Sequence, residues 1–407
     1  MKEFKLCGLG NALVDIFIEI NDQEFASLGF QRGGMQLVDL AEQKQLLDRY
    51  QKNEPKLVSG GSVANSVIAF SQLGGPAAFI GCVGDDRYGL FYSSEFEELG
   101  IDIGNPIMVN EHTGTSLCII TPDAERTMRT CLAVSSHLSA HHVDERRIQE
   151  SEWLFIEGYV FANPDTGQTA IREAMKLARK HGTKIAITCS DAFVPQVFGD
   201  VLNQALEQTD LFFCNQGEAI AVTKAGSAEE AFKVLKGRIP SVVVTDGPHG
   251  AYVRHEGVEA HVPSFPTEHK DLTGAGDMFA GGFLYGITHG ARADRAALAA
   301  GYLSHKVISQ VGARLHHGTK QFWDECLAMG YKGESENRTI PASQIRNPKY
   351  VNLPISDFGF EMQESFDFKF QRWMSSRNFL SSISTALPNA CFPFKDSSAA
   401  PAATLFG

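Results

Sequence analysis

Between residues 153 and 245 the sequence alternates regularly between apolar runs and helical patterns, and this alternation constrains the fold more than any other feature. Four apolar runs have the length and composition of buried strands: 153–156, 184–188, 210–214 and 241–245. Three segments with helical spacing lie between them: 167–180, 198–208 and 228–236. Strands of this kind that alternate with helices are typical of a parallel sheet covered on both faces. The sequence therefore predicts an α/β fold with a mainly parallel central sheet.

Two short strand-like runs lie outside this alternation and indicate a second, smaller sheet. Residues 116–120 and 127–131 flank a turn, as the two arms of a hairpin do. We expect the small sheet to take its strands from about 12–40 and 113–132, inserted into a main domain of residues 1–330.

The composition is that of an ordinary soluble globular protein, with 43% hydrophobic and 21% charged residues among 407. A formal net charge of −12 disfavours nonspecific binding to nucleic acid or to an anionic membrane. No apolar run is long enough to span a membrane, and the eight cysteines are scattered without a Cys-x-x-Cys pair. We therefore expect a cytoplasmic protein with reduced thiols that binds neither nucleic acid nor membranes.

The C-terminal residues 331–407 differ in character from the rest of the chain. They have no strand–helix alternation and are rich in Ser, Pro and Phe. The sequence predicts that this extension is disordered or loosely packed, because it lacks the apolar content of a core.

A glycine-rich stretch that runs into a helical pattern, residues 271–277, is the strongest candidate for a chemical site. The N-terminus of a helix presents unpaired N–H groups, and the small residues 274–276 would let an anion approach them. Asp277 would then stand beside the anion, where it could accept a proton from an attacking hydroxyl. This arrangement suits phosphoryl transfer. The alternative is that Asp277 only caps the helix.

Polar residues interrupt apolar surroundings near the N-terminus and could contact a ligand. Asn11 and Asp15 lie in or beside strand-like runs, so each is either a structural hydrogen-bonding group or a ligand contact. The glycine pair Gly60-Gly61, which precedes a helical pattern, is either a plain turn or a place where backbone approaches a ligand.

Two further stretches end predicted strands at the sheet edge where ligands of open α/β sheets bind. Asn215 and Glu218 follow one strand and are either polar ligand groups or a helix cap with a first-turn acid. Thr245 and Gly247 belong to a second glycine-rich turn. The chain has no Gly-x-x-x-x-Gly-Lys-Ser/Thr stretch, which excludes a Walker-type kinase. The histidines at 137, 141 and 142 could bind a metal, but a solvated loop explains them better.

Taken together, these stretches resemble the ribokinase-like (PfkB) family of carbohydrate and nucleoside kinases over residues 4–325. The resemblance rests on the Asp-x-Thr-Gly-Ala-Gly-Asp signature at 271–277 and on the glycine pattern between 60 and 89. Segments 8–15, 60–66 and 125–127 are most similar to those of adenosine kinases. The resemblance implies a three-layer αβα sandwich with a small β-sheet lid.

The resemblance also implies a role for each matching residue. Asp277 would be the base, with the backbone N–H groups of Gly274, Ala275 and Gly276 as an anion hole for the transferring phosphoryl group. Asp15 would bind the ribose hydroxyls, and the residues beside it would be Asn11, Gly61 and Asn65. Arg126 would reach from the lid towards phosphate. Tyr159 or Phe161 could stack on a nucleobase, although packing in the core explains each of them better.

The implied cofactors are ATP and Mg²⁺, with a monovalent cation such as K⁺ as a further possibility. Asn215 and Glu218 would organise Mg²⁺ largely through water, and Asp271 and Thr273 fall where some family members bind K⁺. The ATP site would include the following residues: Asn215, Thr245, Gly247, Gly274 and Gly276.

The implied reaction is ATP-dependent phosphorylation of the 5′-hydroxyl of a nucleoside, with adenosine as the first candidate. A sugar kinase acting on a primary hydroxyl of ribose or fructose is the alternative. A catalytically dead binding protein would have lost Asp277 or the adjoining glycines, and both are intact. The partners are thus a small-molecule acceptor and ATP, and the protein is expected to be a monomer or a homodimer.

Overall fold

The protein is described here by a computed structural model that covers residues 2–50, 52, 55–104, 107–123 and 125–329. The predicted extension 331–407 lies outside the described residues. The strands are β1 (Phe4–Leu9), β2 (Leu13–Glu19), β3 (Met35–Leu37), β4 (Lys56–Gly60), β5 (Ala77–Ile80), β6 (Val83–Gly84), β7 (Ile101–Ile103), β8 (Ile107–Met108), β9 (Gly114–Ile120), β10 (Arg126–Cys131), β11 (Ser151–Glu157), β12 (Lys184–Thr188), β13 (Leu211–Asn215), β14 (Ser241–Thr245), β15 (Ala251–His255) and β16 (Val258–Val262). The helices are α1 (Asp22–Leu28), α2 (Leu40–Tyr50), α3 (Ser62–Gln72), α4 (Arg87–Glu98), α5 (Glu145–Gln149), α6 (Gly167–His181), α7 (Phe193–Val197), α8 (Gly199–Leu206), α9 (Gln216–Thr223), α10 (Ala228–Leu235), α11 (Ala275–Thr288), α12 (Ala293–Ile308) and α13 (Thr319–Ala328).

The central sheet has nine strands in the order β16-β15-β14-β13-β12-β11-β1-β5-β7. The strands from β14 to β7 in this order pair in parallel, and only β15 and β16 are antiparallel. The four strands expected from the alternating pattern are β11 to β14, so the prediction of a mainly parallel sheet is confirmed. Because parallel strands all end at the same edge, the residues that follow β1, β11, β13 and β14 lie close together.

Both faces of this sheet are covered by helices, which gives the three-layer arrangement. Successive residues of one strand enter different cores, as Leu6 and Cys7 of β1 do. Helices α3, α4, α11, α12 and α13 contribute to the first core, whereas α5, α6, α8 and α10 contribute to the second. The seven described cysteines are buried, as thiols that pack like small apolar side chains usually are. Within the described residues no helix is long and apolar enough to cross a membrane.

A separate five-stranded sheet, called the lid below, has the order β3-β10-β9-β2-β4. It contains the strand segments expected near 12–40 and 113–132, and it also includes β4, which the sequence did not indicate as a strand. Strand β2 alternates regularly, with Val14 and Ile16 fully buried on one face. Asp15 and Phe17 are half-buried on the opposite face.

Helices α3 and α11 cross at very short distance, and this crossing brings two parts of the active site together. A Cβ atom at Gly281 of α11 would lie 2.3 Å from the carbonyl oxygen of Ser66 on α3. Beside this contact the rings of Phe70 and Tyr285 pack edge to face with centroids 5.8 Å apart. Glycine at 281 therefore lets the two helices approach closely enough to share one site.

We predict that Gly281→Ala destabilises the protein. The overpacking penalty of about 1–3 kcal/mol exceeds the roughly 1 kcal/mol that alanine gains over glycine inside a helix. Thermal unfolding should show a melting temperature lower by a few degrees. The matched control is Gly199→Ala, because a Cβ atom there meets no other atom within 4 Å. Equal melting temperatures for the two variants would contradict the close crossing.

Candidate active site

Asp277 lies in the first turn of α11 and is held by side chains from α3. Its Oδ1 accepts a hydrogen bond from the Ser62 hydroxyl at 2.7 Å, and its Oδ2 accepts one from the Asn65 amide at 3.1 Å. Burial raises the pKa of Asp277 to about 6, and these two hydrogen bonds oppose the shift. A carboxylate with a pKa just below neutral is suited to accept a proton at physiological pH.

The alternative that Asp277 merely caps its helix is wrong. The capping position of α11 is Gly274, which has φ 77° and no side chain to cap the helix. A Cβ atom at Gly274 would lie 2.1 Å from the Ala313 carbonyl oxygen, so both the backbone conformation and the packing require glycine.

The start of α11 offers free N–H groups, as expected of an anion hole. The N–H groups of Gly274, Gly276 and Asp277 have no hydrogen-bond partner among the described residues, whereas that of Ala275 donates to Leu272 O at 3.3 Å. A Cβ atom at Gly276 would have no atom within 4 Å, so this side of the turn is open. The geometry thus supplies three unpaired donors at the start of α11.

Two polar groups near Asp277 lack hydrogen-bond partners among the described residues. The Asp15 carboxylate accepts no hydrogen bond from the described residues, and the buried Oδ1 of Asn65 likewise has no partner there. Burial raises the pKa of Asp15 to about 6, while the charges of Arg314 and Arg126 oppose the shift. A buried acceptor without a partner, such as Asn65 Oδ1, is unfavourable unless a ligand donates to it.

Gly61 and Asn11 lie directly beneath these groups. Gly61 has φ 110°, and a Cβ atom there would lie 2.1 Å from the Asn11 carbonyl oxygen. The side-chain amide of Asn11 donates to Glu157 at 2.5 Å, and its Oδ1 accepts from Ser135 at 3.0 Å. Asn11 is therefore bonded within the protein, and its direct contact with a nucleoside stays a prediction.

Sequence reasoning missed Glu157, the last residue of β11. Its carboxylate is 1% exposed and accepts hydrogen bonds from the Asn11 side chain and from the backbone N–H of Val63 at 3.1 Å. Burial raises its pKa to about 7, and the same hydrogen bonds oppose the shift. A charged residue directly after the apolar run 153–156 was the available signal.

Asn215 and Glu218 form a reciprocal cap at the start of α9. Asn215 Oδ1 accepts from the Glu218 N–H at 2.9 Å, and Glu218 Oε2 accepts from the Asn215 N–H at 2.9 Å. The helix-cap interpretation is thus confirmed. Burial raises the pKa of Glu218 to about 8.

The same pair is the candidate magnesium site. Both carboxylate oxygens of Glu218 already accept one hydrogen bond from Asn215, and each keeps further acceptor capacity. No group of three or more His, Cys, Asp or Glu side chains in the described part of the chain could hold a metal directly. The remaining acceptor capacity of the pair fits an ion contacted through water.

The residues expected to flank ATP lie beside this cap. Thr245 ends β14 opposite Asn215 of β13 in the sheet register. Gly247 has φ 51° and no atom near its Cβ position, so this turn stays open at the sheet edge.

Phe161 is 2% exposed in the second core, whereas Tyr159 stacks on Phe193 with ring centroids 6.0 Å apart. These contacts do not test whether either ring stacks on a nucleobase, so that role stays a prediction.

Two arginines reach the site from different elements. Arg126 of the lid forms an ion pair with Asp271 at 2.7 Å, and its Nη1 lies 3.3 Å from the Thr273 hydroxyl. Arg314, which carried no sequence signal, is 6% exposed and donates to the backbone of Ser59 on β4. Both arginines therefore tie the lid to the main domain.

Comparison with known proteins identifies the family of the chain. The model of the pfkB family of carbohydrate kinases matches residues 35–318. The chain is 29% identical to ribokinase of Haemophilus influenzae over 56% of this chain and 74% of that protein. It is 25% identical to adenosine kinase of Schizophyllum commune over 77% of this chain and 97% of that protein.

Solved structures give the same result. A probable sugar kinase from Rhizobium etli superimposes with a TM-score of 0.72 and 27% identity, covering 80% of this chain and 99% of that one. Adenosine kinase from Sinorhizobium meliloti superimposes with a TM-score of 0.71 and 27% identity, covering 79% and 99%. The expected ribokinase-like fold with its small second sheet is confirmed. The family model covers most of the chain, and the chain therefore belongs to the pfkB family of carbohydrate kinases, which are phosphotransferases acting on an alcohol group.

Proposed function

We propose that the protein phosphorylates the 5′-hydroxyl of a nucleoside, with adenosine as the preferred acceptor and ATP as the donor. The observation that carries this proposal is the Asp15 carboxylate, which has no partner among the described residues and adjoins an apolar face of the lid. A carboxylate suits the vicinal hydroxyls of ribose, and an apolar surface beside it suits a nucleobase.

The apolar face is built by residues paired across the lid. Four side chains on neighbouring strands of the lid form one row, because each is paired with the next in the sheet register. In order they are Phe17, Cys118, Met128 and Met35, and they share one face of the sheet. Phe17, Met35 and Met128 are half-buried although they are large and apolar. A flat nucleobase would bury this row, whereas a free pentose carries hydroxyls on every side and would leave it exposed.

The extent of similarity supports the same choice. Alignments with adenosine kinases from three organisms span 94–97% of those proteins. Alignments with ribokinase and two fructokinases span 73–80% of theirs. Since both groups share the phosphoryl-transfer core, the longer alignments favour the nucleoside reading.

In the proposed reaction Asp277 takes the proton from the 5′-hydroxyl as that oxygen bonds to the γ-phosphorus of ATP, and the bond from this phosphorus to the β-phosphate oxygen breaks, so that ADP leaves. The free N–H groups of Gly276 and Asp277 stabilise the charge that develops on the phosphoryl oxygens. The turn at Thr245 and Gly247 borders the nucleotide. Asn215 and Glu218 would hold Mg²⁺ through water, and the ion, when bound, neutralises charge on the phosphates.

A sugar kinase is the second candidate, because Asp15 and Asn65 could bind the hydroxyls of a free ribose or fructose equally well. Relatives named ribokinase and fructokinase are 29% identical to the chain over the aligned residues. The two candidates differ in whether the apolar lid face is used, and a comparison of acceptors therefore separates them.

Asp277→Asn is expected to lower kcat by about 10²–10⁴-fold while the KM for the acceptor changes little, because asparagine keeps the shape but cannot take a proton. Steady-state kinetics measure both constants. The matched control is Asp200→Asn, which alters an exposed first-turn acid of α8 and should retain wild-type kcat.

The pH dependence provides an independent check on the same base. Burial raises the pKa of Asp277 in the free protein to about 6, and only the ionised form accepts a proton, so wild-type kcat/KM should fall as the pH drops through about 6. A variant Asp277→Asn with near-wild-type kcat, or a wild-type kcat/KM that is flat from pH 5 to 8, would show that another group is the base.

An acceptor screen tests the proposed substrate class. Purified protein with ATP and Mg²⁺ is offered adenosine, inosine, cytidine, ribose and fructose, and ADP release is recorded with Asp277→Asn as the blank. We expect adenosine to give the highest kcat/KM. Faster turnover of ribose or fructose than of every nucleoside would replace the proposal with the sugar-kinase reading.

A further inference from the structure

The Asp271 carboxylate accepts hydrogen bonds from several N–H donors, which the sequence motif did not predict. Its Oδ2 accepts from Arg126 Nη1 at 2.7 Å and from the Gly312 N–H at 2.7 Å, and its Oδ1 accepts from the Thr273 N–H at 3.1 Å. The side chains of Arg126 and Asp271 are only 11% and 7% exposed. This is a largely desolvated, charge-balanced pair.

The pair does not fit the monovalent cation that the resemblance suggested at Asp271 and Thr273. Both of those residues contact the same guanidinium nitrogen, since Thr273 Oγ1 also accepts from Arg126 Nη1 at 3.3 Å. The positive charge of Arg126 is already within hydrogen-bond distance of Asp271 Oδ2 and Thr273 Oγ1. A cation bound to the same two oxygens would lie beside that charge, and like charges at such a distance repel. The guanidinium itself occupies the position.

The other end of the guanidinium points to a ligand. Arg126 Nη2 is buried and has no hydrogen-bond partner among the described residues. The guanidinium carbon lies 5.2 Å from the centre of the Phe17 ring, on the lid face that carries Asp15. A buried cationic donor without a partner is costly, and an anionic oxygen would satisfy it.

We propose that Asp271 is a positioning residue which, with Thr273, holds Arg126 where a monovalent cation would otherwise bind. The fixed guanidinium supplies the positive charge at the entrance to the anion hole, and its Nη2 is left to donate to a phosphate oxygen of the bound donor. Catalysis then needs no K⁺. The hydrogen bond from Arg126 to a phosphate oxygen rests on the proposed kinase function, whereas the exclusion of K⁺ from this position does not.

The first test measures whether a monovalent cation binds at all. Melting temperature and initial rate are recorded in KCl, NaCl and tetramethylammonium chloride at equal ionic strength. Because a ligand that binds only the folded state raises its stability, we expect melting temperatures within about 1 °C of each other and rates within about twofold. A melting temperature raised selectively by K⁺, or a tenfold activation by it, would overturn the proposal.

The second test asks whether Asp271 acts through Arg126. Asp271→Asn and Arg126→Met should each lower kcat by roughly 10–100-fold, and the double variant should lose no more than Arg126→Met alone, because residues that act as one unit are not additive. Losses that multiply in the double variant would mean that Asp271 acts elsewhere, for instance by shaping the anion hole through Gly312.

Controls keep these outcomes interpretable. Arg32→Met removes another lid arginine, which pairs with Asp22 and Asp123 at the surface, and it should leave kcat unchanged. The melting temperatures of the wild type, Asp271→Asn, Arg126→Met and the double variant report the same coupling without an activity measurement. If the ion pair forms, the decreases in melting temperature of the two single variants add up to more than the decrease of the double variant. If the wild type phosphorylates no acceptor, the proposed function fails, while the K⁺ titration and this thermal cycle still decide whether the pair exists.

Discussion

The hydrogen bonds from Ser62 and Asn65 to Asp277 are the interaction on which the site depends. They join α3, which follows the lid strand β4, to α11, which begins at the glycine-rich turn. The segment proposed to bind the acceptor and the segment proposed to bind phosphate therefore meet at one carboxylate. This contact is possible because Gly281 lets the two helices cross closely, so helix packing fixes the distance between the reacting groups.

Carboxylates are concentrated at this edge of the sheet, and burial raises the pKa of four of them: Asp15, Glu157, Glu218 and Asp277. So many buried acids in one region are unfavourable for folding, and perturbed acids of this kind are typical of functional sites. For Asp15 the opposing charges come from Arg314 and Arg126, both of which also link the lid to the main domain. The electrostatics of the site and the position of its lid are thus coupled through the same side chains.

Much of the fold and of the site could be predicted from the sequence where the signal is local. The alternation between 153 and 245 identified strands β11 to β14, and the turn at 271–277 identified the start of α11. The missing parts depend on contacts distant in sequence. Strand β4 became recognisable only through its pairing with β2, and Glu157 only through Asn11 and Val63. The Arg126–Asp271 pair joins residues on different sheets and loops, which no local pattern encodes.

The central claim is that one phosphoryl group passes from ATP to a primary hydroxyl held beside Asp277. The most direct measurement is the proton-coupled phosphorus NMR spectrum of the product formed from adenosine and ATP. The account predicts a phosphomonoester whose phosphorus couples to the two C5′ protons. Coupling to a single ring proton would place the phosphate on a secondary hydroxyl, and release of inorganic phosphate alone would show hydrolysis; either result would contradict the account.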